Sequence, residues 1–475
     1  MMEMTYYHPH FDSELQSLID RIHPPRVCID NDSDPKCTLV KVDSVNKYGV
    51  LLDMVQVLAD LDLVISKSYI SSDGGWFMDV FHVTDQLGNK LTDRSLILYI
   101  QQAICASRTG GITKEMQSNL NREAQQRHVS TQHTAFEITG TDRPGLLSEI
   151  SAALSDLGCH VTAAMAWTHH DRAAMVIYVE EGIGGGGINQ LGLVKEQLEN
   201  VVEAHHAEGE TRTVKVVAPP GALAGWTHTE RRLHQIMHGD RDYEKCRGCD
   251  RRGCGCGKVH VAGEACKEKG YSMVNVRCRD RPKLLFDTVC AFTELNYVVF
   301  HAAVGSNGPM ADQEYFIRQK NGSTLDTESE RQRLMQCLIA AIERRTSRGV
   351  ELKVRTKDRM GVISDITRAV RENGLSITRA EFNTGGETTV GSIQVVDMTG
   401  QDADSKAVKS LIQQLGGSVM PAATKSLAGW TMKMASSSGV GNSEVNRQEK
   451  AKFSIGSLLW SQLERLSGNF TSIKS

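Results

Sequence analysis

Long apolar runs are missing from this chain of 475 residues, and so is a surplus of charge of either sign. No stretch reaches the roughly eighteen apolar residues that a membrane-spanning helix needs. The formal net charge of −3 creates no overall field that would attract nucleic acid or an acidic membrane. The N-terminal sequence MMEMTYYHPHFDSELQ lacks a basic end followed by an apolar core, so we expect no secretion signal. We therefore expect a cytoplasmic protein, with the nucleus as a second location.

Motifs for catalysis and for nucleotide binding are lacking as well. The run Gly184–Gly187 has neither the Lys nor the Ser/Thr that a phosphate-binding loop uses. The strand-like segments Met175–Val179 and Ser392–Val396 lack the aromatic set of an RNA recognition motif. No partnered nucleophile and acid accompany the histidines at a recognisable spacing. These histidines lie in linkers or at strand edges: His228, His234, His238, His260, His169, His170 and His301. We expect a protein that is not an enzyme, uses no cofactor and binds no nucleic acid.

The twelve cysteines are scattered mostly through helix and strand patterns, which is typical of reduced thiols in the cytosol or nucleus. One group is closely spaced: Cys246, Cys249, Cys254 and Cys256. Four thiolates this near could hold zinc tetrahedrally. Only Asp250–Gly253 separate the two pairs, whereas zinc ribbons and fingers place about a dozen residues or more there. We therefore predict no metal site and keep this group as the weaker alternative.

One stretch, FEITGTDRPGLLSEISAALSDLGCHV at residues 136–161, carries the pattern on which the rest of the chain is built. A short apolar alternation predicts a strand, and the turn formers Thr141–Gly145 interrupt it. A helix is expected to begin at Pro144, whose missing N–H costs nothing at the first helical position. Apolar residues then recur three or four apart up to Leu157, and Gly158 occupies a usual C-cap position.

The same strand, loop and helix occur three more times without a gap. The four helical segments are residues 49–65, 145–161, 283–299 and 361–377. Two further strand-like runs around a polar or Gly-rich turn follow each helix, and a second helical pattern follows them. Each copy reads β-α-β-β-α with an optional last strand and is about seventy residues long, which is enough for a self-contained domain.

The loop and helix signature Asp142-Arg143-Pro144-Gly145-Leu146-Leu147 resembles the ACT domain family, and four copies in one chain resemble the plant ACT domain repeat proteins. The copies, especially Trp76–Asp85, are also similar to the sensing domains of bacterial uridylyltransferase nitrogen sensors. Nothing in the chain resembles their nucleotidyltransferase or phosphohydrolase domains. The resemblance implies an α+β fold of four ferredoxin-like βαββαβ ACT domains in tandem.

We divide the chain accordingly. The predicted segments are a leader at 1–35, ACT domain 1 at 36–110, a linker at 111–132, ACT domain 2 at 133–218, a Cys/His-containing linker at 219–270, ACT domain 3 at 271–346, ACT domain 4 at 347–430, and a flexible linker with an amphipathic tail at 431–475. Because the helix pattern of Glu328–Arg345 leads almost directly into the next strand, we expect domains 3 and 4 to form a rigid pair.

In the ACT family an amino acid binds near the loop where two domains meet, with its carboxylate on backbone amides at a helix N-terminus. Carried over to this chain, the resemblance implicates Asp142, Arg143, Gly145, Leu146, Asp358, Arg359, Gly361 and Val362, with Asn46 and Gly49 as weaker candidates. The alternative is that the Asp is only a helix cap and the Gly only makes the turn. In copy three Lys283 replaces the glycine. A non-glycine residue is permitted there if φ is negative, but its long side chain would crowd any small ligand that approaches the backbone.

These features together predict a non-enzymatic regulatory protein that senses free amino acids at interfaces between ACT domains. The alternative is a protein-interaction scaffold whose repeats have lost their ligands. Either function implies a protein partner or self-association through the ACT domains. The tail pattern Phe453–Phe470 predicts an amphipathic helix that covers its own domain, with docking on a partner or a membrane surface as alternatives.

Overall fold

The computed structural model describes residues 26–45, 48–73, 76–106, 134–180, 187–204, 211–217, 228–244, 259–266, 270–346 and 349–421. The predicted linker at 111–132, the tail at 431–475, Asn46 and the four closely spaced cysteines lie outside these residues. The fold divides into two units. The first comprises Met1–Asp142, Trp167–Val176 and His205–Thr346, and the second comprises Arg143–Ala166, Ile177–Ala204 and Ser347–Ser475. Among the described residues, no helix is both long and apolar enough to cross a membrane.

The helices and strands alternate along the chain as the repeat pattern predicts. The helices are α1 (Val50–Asp60), α2 (Arg94–Ala106), α3 (Leu146–Asp156), α4 (Gly187–Glu203), α5 (Thr229–Gly239), α6 (Leu284–Glu294), α7 (Glu328–Glu343), α8 (Val362–Glu372) and α9 (Ser405–Leu415). The strands are β1 (Arg26–Asp30), β2 (Thr38–Val45), β3 (Val64–Asp73), β4 (Trp76–Thr84), β5 (Thr134–Thr141), β6 (His160–His169), β7 (Arg172–Glu180), β8 (Thr213–Val217), β9 (His260–Cys266), β10 (Tyr271–Arg279), β11 (Tyr297–Asn307), β12 (Met310–Gln319), β13 (Val350–Lys357), β14 (Leu375–Gly385), β15 (Thr388–Asp397) and β16 (Val419–Pro421).

The first sheet unites domains 1 and 3 in the order β1-β2-β4-β3-β11-β12-β10-β9. Its centre is the antiparallel pair of β3 and β11, in which Ala302 lies opposite Ile70. Helices α1 and α6 pack together, and their apolar faces contribute the fully buried Leu52, Leu58 and Phe286 to one core. Each such side chain stabilises the fold by about 1.5–3 kcal/mol relative to an exposed position.

The second sheet unites domains 2 and 4 in the order β16-β13-β15-β14-β6-β7-β5-β8. Helices α3 and α8 pack together, and the buried hydroxyls of Ser151 and Thr367 lie 2.9 Å apart between them. The expectation that domains 3 and 4 form the pair is therefore wrong: domain 3 shares its sheet with domain 1, and domain 4 shares its sheet with domain 2. A short connection limits distance only, whereas pairing depends on which strand edges and helix faces complement each other.

The fold class predicted from the repeats, α+β with ferredoxin-like ACT domains, is confirmed, but two domains use a different chain order. In domains 2 and 4 the fourth strand follows the second helix, as β8 beside β5 and β16 beside β13. In domains 1 and 3 that edge is filled from the N-terminal side, by β1 beside β2 and by β9 beside β10. All four pairs are antiparallel, and an edge strand needs only a matching row of backbone partners. Strand β1 falls in the segment assigned to the leader, and β9 in that assigned to the Cys/His-containing linker.

The first helix of every domain begins after a residue in the left-handed region. In domain 2 this is Gly145, with φ of 87°, so α3 begins at Leu146 and not at Pro144. Gly158 just beyond the helix is also left-handed, with φ of 71°, consistent with its predicted role at the C-terminus. In domain 3 that condition of a negative φ is not met, because Lys283 adopts the left-handed conformation with φ of 62°. That conformation costs a non-glycine residue about 1–2 kcal/mol.

Candidate ligand-binding loops

Two guanidinium groups lie near the N-terminus of α3, one from the loop of domain 2 and one from domain 4. Gly145 provides no side chain to cap this helix, which leaves a partial positive charge at its end. Arg143 donates from Nη2 to Glu149 Oε2 at 2.5 Å. Arg371, which projects from α8 of domain 4, places its Nη1 3.5 Å from Glu149 Oε1. Two cations from two domains therefore share the carboxylate of Glu149.

Arg371 also covers the loop glycine. A Cβ atom added to Gly145 would lie 2.7 Å from Arg371 Cδ, which is closer than real contacts allow. Leu146 is buried, and its N–H donates to the Arg143 carbonyl at 3.1 Å, so this predicted residue supports the turn. Neither Glu149 nor Arg371 was identified from the sequence, because their role depends on the pairing of domains 2 and 4.

The aspartates of the predicted sites hold the loops against the sheet. The N–H of Asp142 donates to the Asp171 carbonyl at 2.7 Å, and the N–H of Asp358 donates to the Glu387 carbonyl at 2.8 Å. The residues at the N-cap positions of α3 and α8 are the glycines Gly145 and Gly361, which make no side-chain cap bond. The Asp358 carboxylate lies 3.0 Å from His160 Nε2 of domain 2. It links the two domains directly.

The loop of domain 4 has the same backbone but different chemistry. A Cβ atom at Gly361 would lie 2.7 Å from Ser155 Oγ, so domain 2 contributes a hydroxyl where domain 4 contributed Arg371. Arg359 pairs with Asp365 of α8, the helix that follows this loop, and is more than half exposed. Val362 is buried and donates its N–H to the Arg359 carbonyl at 3.2 Å. Among the contacts of the described residues, this loop therefore receives no guanidinium or ammonium group from the paired domain, only the imidazole of His160 at Asp358.

The loops of domains 1 and 3 are filled by the chain itself. Beside Gly49, the Tyr48 hydroxyl donates to the Thr293 carbonyl at 2.5 Å, next to the end of α6. Lys283 Nζ lies 3.1 Å from Glu230 Oε1 and 3.8 Å from Asp62 Oδ1. The cavity between Leu63 and Lys283 has a volume of about 20 Å³. That is room for about one water molecule.

Buried charges connect helix α5 to the loop of domain 3. Glu230 receives Arg345 Nη1 at 2.8 Å in addition to Lys283, and Asp287 receives Arg345 Nη2 at 2.7 Å. His234 of the same helix places Nε2 2.9 Å from Asp287 Oδ1. Burial alone would raise the pKa values of Glu230 and Asp287, but the neighbouring cations outweigh it and hold both pKa values well below their usual range. The partners of this helix lie far from it in sequence, so no local pattern indicates them.

Known protein families match the chain in three places. The ACR family N-terminal ACT domain matches residues 33–111, and the ACT domain matches residues 136–204 and 350–417. The ACT domain-containing protein ACR1 of Arabidopsis thaliana is 63% identical over 100% of both chains. The protein ACR3 of the same plant is 48% identical over 87% of this chain and 90% of that one. A bifunctional uridylyltransferase/uridylyl-removing enzyme of Gluconobacter oxydans is 36% identical over 18% of this chain and 9% of its own length.

Proposed function

Because this chain belongs to the ACR family of ACT domain-containing proteins, as the sequence motifs suggested, we propose that it is a non-enzymatic regulatory protein that binds a free amino acid between ACT domains 2 and 4. The observation that carries the proposal is the convergence of Arg143 and Arg371 on the uncapped N-terminus of α3. Guanidinium groups and helix N-termini both bind carboxylates. Glu149 holds the two cations in place until a ligand carboxylate joins or replaces it.

A ligand at this loop would contact both domains at once. Arg143 and Gly145 belong to domain 2, and Arg371 belongs to the helix of domain 4 that packs on α3. Binding therefore favours the arrangement that brings the two domains together, by as much as the ligand's affinity differs between arrangements. This differential affinity is what would allow the protein to report an amino acid concentration.

We assign a different role to the loops of domains 1 and 3. Lys283 stands in place of the glycine, its ammonium group is held by Glu230, and the adjacent cavity accommodates about one water molecule. We propose that this domain pair is structural. The scaffold alternative therefore applies best to domains 1 and 3, whereas the sensor hypothesis rests on domains 2 and 4.

A binding screen tests the proposal. Full-length protein is heated with each of the standard amino acids, and the expected result is a rise in the unfolding midpoint for one chemical class. A ligand at about 100 times its dissociation constant adds about 2.7 kcal/mol of stability. Isothermal titration of Arg371→Ala should then show affinity reduced about 10- to 100-fold, because a charge-assisted hydrogen bond contributes about 1.5–3 kcal/mol.

Arg368→Ala is the matched control. Arg368 lies on the same helix, is more than half exposed and pairs with Asp365, so its removal should leave affinity unchanged. If no amino acid shifts the midpoint, the sensor proposal fails and the scaffold alternative is favoured. If a ligand binds wild type and Arg371→Ala equally well, the protein binds amino acids but at another site.

For location, we propose the cytoplasm or the nucleus. The support is chemical: the cysteines among the described residues are free thiols, and most of them are buried as small core side chains. Reduced thiols are the usual state in those compartments. Imaging of a fluorescent fusion in plant cells, with a plasma-membrane marker as reference, checks this location and the membrane alternative for the tail.

A further inference from the structure

Three potential metal ligands meet where the β6–β7 turn approaches the end of α7. His169 is the last residue of β6, His170 follows it in the turn, and Glu343 is the last residue of α7. One ligand atom from each of these side chains lies within 4.8 Å of the other two. His170 adopts a left-handed backbone with φ of 54°, which a non-glycine residue rarely adopts. The residues are far apart in sequence, so only the fold assembles them.

Both imidazole rings are oriented by acceptors of the same residue. His169 Nδ1 lies 2.9 Å from the Asp242 carboxylate, and His170 Nδ1 lies 3.1 Å from the Asp242 backbone carbonyl. Because an acceptor faces each Nδ1, that nitrogen carries the hydrogen, and the Nε2 of a neutral ring keeps its lone pair. A carboxylate or a carbonyl behind each ring is the arrangement that accompanies histidine ligands of metal ions.

Two atoms of the cluster, one on His169 and one on Glu343, are buried without a hydrogen-bond partner. His169 is 7% exposed, and both its Nε2 and Glu343 Oε1 are buried without a hydrogen bond. His169 Nε2 lies 3.6 Å from Glu343 Oε2, which is too long for a hydrogen bond. Two ligands bound tetrahedrally at about 2.0–2.1 Å would be about 3.4 Å apart. A buried group without a partner is costly, and an ion between these atoms would satisfy both.

We propose that His169, His170 and Glu343 form a binding site for a divalent transition-metal ion of the zinc type. Two imidazoles and one carboxylate are a known zinc ligand set that leaves the fourth position to water. Arg344 donates to both carboxylate oxygens of Asp242, at 2.6 and 2.7 Å, and so balances the charge behind His169. The bound ion joins the turn of domain 2 to helix α7 of domain 3. It acts as a structural clamp.

A titration with Zn²⁺ and with Co²⁺ tests this site after treatment of the full-length protein with a chelator. The cysteines at 246, 249, 254 and 256 are changed to serine, because thiolates could bind the same ions. We expect binding of one ion per chain, a higher unfolding midpoint, and a Co²⁺ spectrum without thiolate charge-transfer bands. His170→Asn and Glu343→Gln should each weaken binding at least tenfold. Asparagine tolerates the left-handed backbone, so the first variant spares the turn.

The matched control is His260→Asn, because His260 is exposed on β9 and should not affect binding. If the cysteine variant does not fold, the same comparison is made in the native chain, where His170→Asn should lower the stoichiometry by one ion. The proposal is overturned if no ion binds, if every bound ion is lost with the cysteines, or if His170→Asn and Glu343→Gln bind as tightly as the control.

Discussion

The buried charges around α5 should respond strongly to the loss of one carboxylate. Glu230 is 3% exposed and accepts from Arg345 at 2.8 Å and from Lys283 at 3.1 Å. In Glu230→Gln the shape is kept, but a neutral amide faces two buried cations. Removing one partner of a buried ion pair costs about 3–5 kcal/mol. Arg345 retains Asp287 at 2.7 Å, so we expect the lower end, about 3 kcal/mol.

Two measurements check this value. At a urea dependence of about 3 kcal/mol per molar, typical of larger domains, the midpoint of the unit that contains α5 should fall by about 1 M. Native-state hydrogen exchange should show α5 opening at correspondingly lower free energy. Glu244→Gln is the matched control, because Glu244 pairs with Arg241 at 2.6 Å on the exposed surface, where such pairs contribute about 0–1 kcal/mol. A loss below about 1 kcal/mol in Glu230→Gln would refute the buried-charge argument.

Two further predictions concern single positions. Burial raises the pKa of Asp79, opposed by its bond from the Ser71 N–H at 3.3 Å, so the carboxyl keeps its proton to higher pH in the fold than in the unfolded chain, where it ionises above about pH 4. Stability should therefore fall as pH rises above that value, by up to about 1.4 kcal/mol per pH unit, and Asp79→Asn should remove this slope from urea unfolding. A Cβ at Gly349 would lie 2.1 Å from the Val395 carbonyl oxygen, whereas one at Gly374 meets nothing within 4 Å. Gly349→Ala should cost roughly 3 kcal/mol or more and Gly374→Ala only about 1–2; equal losses would contradict the clash.

The repeated helices could be predicted from the sequence because their signals are local. The apolar spacing that ends before Gly158 and the glycine at Gly145 both lie in one continuous segment of sequence, and the structure has both. Strands β1 and β9 could not be placed with the same ease, since each is short and precedes the repeat to which it pairs. In β1 the alternating apolar positions Val27 and Ile29 are the only sequence signal for a strand.

The site could be predicted only in part, for a related reason. The resemblance points to the loop around Arg143 and Gly145, but the second cation, Arg371, comes from another domain. Its position follows from the pairing of α3 with α8, which no local pattern encodes. The same holds for His170 and Glu343, whose proximity depends on how the β6–β7 turn approaches α7.

The alternation of domains between the two sheets has a consequence for synthesis on the ribosome. Strand β3 ends at Asp73 and its partner β11 begins at Tyr297, so roughly 220 residues must be made before the first sheet can close. At about 5–20 residues per second this takes about 11–44 s. Throughout that interval β3 presents an open edge that strands of domain 2 or of another nascent chain can occupy. We therefore expect newly made protein to depend on chaperones more than isolated ACT domains do, and its misfolded forms to be domain-swapped oligomers.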